Sequence, residues 1–139
     1  MKRTDYFYML TDLFAFKTMK DGKGNELVVY QSHIEHEGIA ESIEDKTEYE
    51  ALVNHVHLLD RVKPYEFDAL KESGAKLGKA LLECLKFNYP DKYFYVFVNI
   101  QVGDSFIIRF YQKWEGEPPY FDLDNLTDDE KEIVIMFHG

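Results

Sequence analysis

At 139 residues, with 45% hydrophobic and 16% aromatic content, the chain has ample material for a buried core, which excludes a disordered protein. Its net charge of −10 argues against nucleic acid as a partner and favours basic ligands or proteins. No run approaches the ~18 apolar residues of a membrane span, and the lone Cys84 excludes an internal disulfide.

The length suits one α+β domain over residues 1–139. Asp5 and Asp12 interrupt the early apolar run, so no signal peptide is expected. With a free thiol, that reads as a cytoplasmic protein. The acid is concentrated. Residues 26–60 hold one cation against nine anions and residues 93–139 three against nine, in the blocks Glu35–Glu50 and Glu115–Glu132.

In chain order, residues 5–13 fit a short helix or a strand. Phe14, Phe16 and Thr18 alternate with Ala15, Lys17 and Met19, DGKGN at 21–25 is a turn, and LVVYQ at 27–31 is β-prone, which together predict a first hairpin. Thr47 to Glu50 has the form of a capping box, and Leu52, Val53, Val56, Leu59 and Val62 recur at helical spacing behind it, predicting a helix that ends at Pro64. A second helix is predicted from Pro64 to Phe87, with the stripe Phe67, Leu70, Leu77, Leu81 and Leu85. Gly74 and Gly78 lie on that side. Each costs about 1 kcal/mol relative to Ala inside a helix, so a close approach of another backbone should offset them.

The run from Tyr93 to Trp114 predicts the main hairpin. A two-residue loop at Gly103-Asp104 mixes polar and apolar groups on both faces. A three-residue loop, Val102 to Asp104, pairs Ile100 with Phe106, Val98 with Ile108 and Val96 with Phe110, and makes one face wholly apolar; that register is preferred. Thr127 to Glu130 has the form of a second capping box, but Ile133-Val134-Ile135 is β-branched and favours a last strand. The order predicts an α+β fold, with a single antiparallel sheet of about five strands covered on one face by the two central helices.

No nucleophile elbow, phosphate loop, dinucleotide fingerprint or zinc-protease motif occurs, so no catalytic residues, cofactor or metal are assigned. His33, Glu35, His36 and Glu37 concentrate metal-capable groups at no recognised spacing. His55 and His57, two apart on a helix, would face opposite sides. Asp122, Asp124 and Asp128 lack the calcium-loop spacing and its glycine. The best binding candidate is the hairpin's second face with the acid behind it: Tyr93, Tyr95, Asn99, Gln101, Arg109, Tyr111, Lys113 and Trp114, with Glu115, Glu117, Asp122 and Asp124. Tyr and Trp bury large area at low entropic cost, Arg is a frequent hot spot, and carboxylates speed encounter with a basic partner.

In size, acidity, aromatic content and expected location, the chain resembles the small acidic α+β immunity proteins of bacterial toxin–immunity systems. That resemblance implies a non-enzymatic protein that binds and neutralises a basic toxin domain, for example a nuclease. The competing readings are a small-molecule-binding or regulatory domain, with a pocket between helices and sheet, and a metal-dependent hydrolase using His33, Glu35 and His36. The oligomeric state is not legible.

Overall fold

The computed structural model describes residues 3–34 and 43–139. The elements are α1 (Arg3–Leu13), β1 (Phe16–Lys20), β2 (Glu26–Tyr30), α2 (Lys46–Val53), β3 (His55–Leu59), a 3-10 turn (Pro64–Glu66), α3 (Phe67–Asn88), β4 (Phe94–Gln101), β5 (Phe106–Gln112) and β6 (Glu132–His138). The class is α+β, but among the described residues the strands form two antiparallel sheets: a ribbon β1-β2 and a four-stranded sheet in the order β3-β5-β4-β6. This corrects the single five-stranded sheet.

The main hairpin adopts the register that segregates the apolar side chains: Ile100 opposite Phe106, Val98 opposite Ile108, Val96 opposite Phe110. Gly103 takes a φ of +79° at its tip, where an L side chain would be strained. β6 pairs with β4 along its whole length, so the β-branched run decides the last segment, and Asp129 binds the Lys131 and Glu132 N–H groups instead of starting a helix.

One face of the sheet carries Phe94, Val96, Val98, Ile100, Phe106, Ile108 and Phe110, all buried in the main core. α3 lies across it. A Cβ at Gly74 would stand 2.9 Å from the Val98 side chain, and one at Gly78 would stand 2.7 Å from the Phe137 ring, so both glycines let α3 settle close on the sheet, with side chains rather than another backbone filling the space. The second helix covers something else. Ala51 of α2 packs with Phe97 and Tyr111 on the opposite face, so the two central helices flank the sheet rather than share one side.

The long helix expected over 47–62 is an 8-residue helix followed by a strand. His55-Val56-His57-Leu58 alternates exposed and half-buried positions, and this period of two prevails over the helical spacing. Asp45, not Thr47, is the N-cap and accepts the Glu48 N–H at 2.8 Å. Thr47 gives its N–H and hydroxyl to Glu117, and Glu50 turns inward and is fully buried.

Glu50 and Asn54 join the two sheets. The Glu50 carboxylate accepts from Val28 N–H, Gln112 N–H, Gln112 Nε2 and Trp114 Nε1, at 2.5–3.0 Å. Asn54 accepts the Tyr30 N–H, donates to the Val28 carbonyl, and takes the Phe110 N–H on its own carbonyl. Gln112 also donates to the Glu26 carbonyl. The outer edge of β2 is therefore completed by side chains where a neighbouring strand would otherwise lie. The ribbon's inner face, with Val28 and Tyr30, enters the main core; Met19, Leu27 and Val29 pack under Tyr49, Val53 and Trp114.

Candidate functional site

Strand alternation and register set the composition of the face opposite α3. β4 contributes Tyr95, Phe97, Asn99 and Gln101, β5 contributes Ile107, Arg109 and Tyr111, and β6 contributes Val134, Met136 and His138. The middle of this face is closed by the chain itself. Gly116, with a φ of +79°, turns the chain after Trp114, and the acidic segment folds back across the sheet. Phe121 stacks on Phe97 with ring centroids 4.3 Å apart, and Leu123 and Leu126 pack beside it. Phe97 and Tyr111 are each 1% exposed as a result.

The sequence-predicted residues separate into two groups at opposite ends of this covered stretch. At one end stand Tyr93, Tyr95, Tyr111, Lys113, Trp114 and Glu115. Tyr93 is exposed, bonds through its hydroxyl to His138 Nδ1, and lies 5.5 Å beneath the Lys113 ammonium. Trp114 is fixed by its Nε1–H bond to Glu50 and carries Lys46 at 5.1 Å over its ring. A cleft of about 330 Å3 opens here, lined among others by Tyr95, Tyr111, Trp114, Pro118, Pro119 and Leu123. In its wall the Tyr111 hydroxyl is buried close to the Tyr120 and Phe121 backbone N–H groups, yet makes no hydrogen bond of normal geometry. Burial pushes this phenol up to about 12.

Asn99 and Gln101 stand at the other end, and Arg109, opposite Phe97 in the middle of β5, lies between the two groups. Tyr93 and Gln101 stand roughly 26 Å apart along the strand direction, too far for one small ligand to touch both, whereas the Tyr120 ring lies against both Tyr111 and Arg109. Asn99 donates to Glu132 at 3.4 Å. Arg109 lies against the Tyr120 ring at 4.9 Å and donates from Nη1 to the Ala51 carbonyl.

The carboxylates also divide. Glu117 is committed to the fold: it pairs with Lys46 at 2.7 Å and accepts both the Thr47 N–H and its hydroxyl at 2.8 Å. Burial alone would raise its carboxyl, but Lys46 and Thr47 outweigh that and hold it below the usual range. Asp122 closes its own turn onto Asn125 and Asp124, and the Asn125 amide lowers its carboxyl. Glu115, Asp124, Asp128 and Glu130 are exposed, and among the described residues none of them pairs with a cation.

His33 Nε2 meets the Tyr49 hydroxyl at 3.0 Å, and Glu35, His36 and Glu37 lie outside the described residues. His55 and His57 share one face of β3, with rings 5.3 Å apart, because the segment is a strand; this corrects their expected opposition. Among the described residues no group of three or more His, Cys, Asp or Glu is placed to hold a metal ion. Burial pushes the Cys84 thiol up, and it points to the Phe14 carbonyl at 3.9 Å.

The residues that sequence reasoning missed are Glu50, Tyr120 and Phe121. Glu50 fitted a helix cap, and Phe121 sat within the acidic block Glu115–Glu132. The available signal was the apolar spacing of Phe121, Leu123 and Leu126, alternating with acid and ending beside a strand. Among the described residues no helix is long and apolar enough to cross a membrane. No protein-family model matches this chain, and no match was found among curated proteins or solved structures.

Proposed function

We propose that the chain is a non-enzymatic binding protein that occupies a basic partner, as an immunity or inhibitor protein neutralises a basic toxin domain such as a nuclease. The observation that carries this reading is the cleft of about 330 Å3 beside Trp114. It combines an apolar, ring-bearing wall with the exposed Glu115 at its rim and the unpaired Asp124, Asp128 and Glu130 on the same returning segment. A Lys or Arg side chain entering it meets the Tyr95 ring and the Glu115 carboxylate, with Lys113 on the same rim. The surrounding acid supplies a field that speeds encounter.

The test mixes the chain with the product of the adjacent reading frame and measures inhibition and association rate; a neighbouring product that is not basic, or that the chain does not inhibit, refutes the reading. The expected result is stoichiometric inhibition, with an on-rate that falls at least tenfold between low and high salt, as steering by exposed charge requires. Trp114→Ala should accelerate dissociation, and Asp124→Lys with Glu130→Lys should slow association. A salt-independent rate, or tight binding unchanged by all three substitutions, refutes this surface.

A specific observation favours a second reading, as a small-molecule-binding domain. A cavity of about 230 Å3 lies among Met9, Asp12, Tyr30, His33, His55 and Val56. The Tyr30 hydroxyl in its wall is buried without a hydrogen bond among the described residues, and burial pushes that phenol up. A thermal shift with a metabolite, abolished by Val56→Trp, supports this reading; no shift across a broad metabolite set removes it.

A further inference from the structure

Arg109 stands in the middle of β5, half-buried on the sheet face opposite α3. A guanidinium carries five N–H donors, and a cation withdrawn from water is ordinarily matched by a carboxylate. Here one donor goes to the Ala51 carbonyl and the Tyr120 ring lies against the group at 4.9 Å. Among the described residues no carboxylate forms an ion pair with it, although acidic side chains outnumber basic ones 26 to 16. Withdrawal from water lowers its pKa from the usual arginine value, the direction expected of an under-compensated cation.

The guanidinium borders a cavity of about 210 Å3, lined by Phe97, Asn99, Ile107, Arg109, Tyr120 and Phe121. Half of its lining residues carry rings: Phe121 stands 4.3 Å from Phe97 and 5.2 Å from Tyr120, nearly perpendicular to the latter at 81°. A cavity of roughly 150 Å3 holds benzene in another protein, so this volume accommodates one aromatic ring and a small polar group.

We propose that this cavity binds an aromatic monocarboxylate, its carboxylate on the Arg109 guanidinium and its ring against Phe121 and Ile107. The planar fork of Arg matches a carboxylate through two parallel hydrogen bonds. A single negative charge suits the surroundings better than a phosphate dianion, because the chain carries −10 overall and Glu132 stands one hydrogen bond away through Asn99. This site is separate from the acidic cleft beside Trp114 and stands or falls independently of it.

The test uses benzoate as the probe, followed by amide NMR on the whole chain at neutral pH. Saturable shifts are expected at Asn99, Ile107, Arg109 and Phe121, with binding about tenfold weaker for neutral benzamide, which lacks the charge the guanidinium recognises, and weaker still for acetate, which lacks the ring. Ile107→Trp fills the cavity and should abolish binding while leaving the thermal midpoint unchanged. Arg109→Lys keeps the charge, loses the fork, and should weaken binding severalfold. No saturable shift, equal binding of benzamide, equal binding of acetate, or undiminished binding in Ile107→Trp each overturns the proposal. The benzamide, acetate and Ile107→Trp arms decide it even if Arg109→Lys fails to fold.

Discussion

Replacing Glu50 by Gln tests the central polar junction of this protein with almost no change in shape. Four N–H groups converge on the Glu50 carboxylate: Gln112 N and Trp114 Nε1 on one oxygen, Val28 N and Gln112 Nε2 on the other. All four contacts are donors. Burial pushes the Glu50 carboxyl up, further than the hydrogen bonds from Val28, Gln112 and Trp114 pull it back. A Gln side chain keeps one oxygen and turns an NH2 toward the other pair, leaving two buried donors unmatched. Each unmatched donor costs about 1–3 kcal/mol, a gross loss of roughly 2–6 kcal/mol. Removing a buried charge that has no cationic partner among the described residues offsets part of this, so a net loss of about 2 kcal/mol is expected. Urea unfolding at neutral pH, followed by the fluorescence of the single tryptophan, measures it directly, because that indole is one of the four donors. A lower midpoint at unchanged slope supports the account. A variant as stable as the parent, or more stable, would mean that the site holds a neutral acid and that its hydrogen bonds do not demand a carboxylate.

Four further outcomes follow from the same structure. Glu117→Gln should cost about 1–2 kcal/mol at pH 7 through its charge-assisted bonds to Lys46 and Thr47. Because the folded carboxyl is held below its ordinary value, that advantage of the parent is present above about pH 4.5 and lost as the pH falls through the folded value, so denaturation curves of the two proteins should converge in acid. Gly78→Ala should destabilise by about 1–2 kcal/mol despite the better helix propensity, since its Cβ would stand 2.7 Å from the Phe137 ring; a stabilised variant in thermal unfolding would contradict that contact. Phe121→Ala removes the ring stacked on Phe97 and should lose about 2–3 kcal/mol, with amide exchange accelerating in residues 118–126 before the sheet. Asn54→Ala leaves Tyr30 N–H and the Val28 carbonyl unmatched and should lower stability by about 2–4 kcal/mol, read as faster exchange confined first to β2.

The hairpin register was legible because one-residue slippage would have mixed Arg109 and Tyr111 into an otherwise apolar face, and α3 was legible from its long leucine stripe and paired glycines. Both depend on short-range patterns that a single strand or helix must obey. The segment 47–62 was misleading because Leu52, Val53, Val56 and Leu59 satisfy two periods at once; pairing of His55 to His57 with β5 decides between them, and that partner lies some fifty residues away. Glu50 was opaque for a related reason. A Glu three residues after a Thr satisfies a local rule, whereas its actual donors come from β2, β5 and Trp114. The candidate docking face was correctly composed by alternation, but its accessibility depends on where residues 115–126 return, which no local pattern states.

The side-chain seal along β2 has a consequence for how this protein behaves when α2 loosens. Glu50 and Asn54 are one helical turn apart, so both leave together if that 8-residue helix frays. The ribbon would then display a row of unmet amide and carbonyl groups beside apolar Leu27 and Val29, a template for strand addition by another copy. A short helix thereby acts as a guard against intermolecular β-pairing, and conditions that melt it, rather than conditions that unfold the α3-covered core, should set the threshold for aggregation.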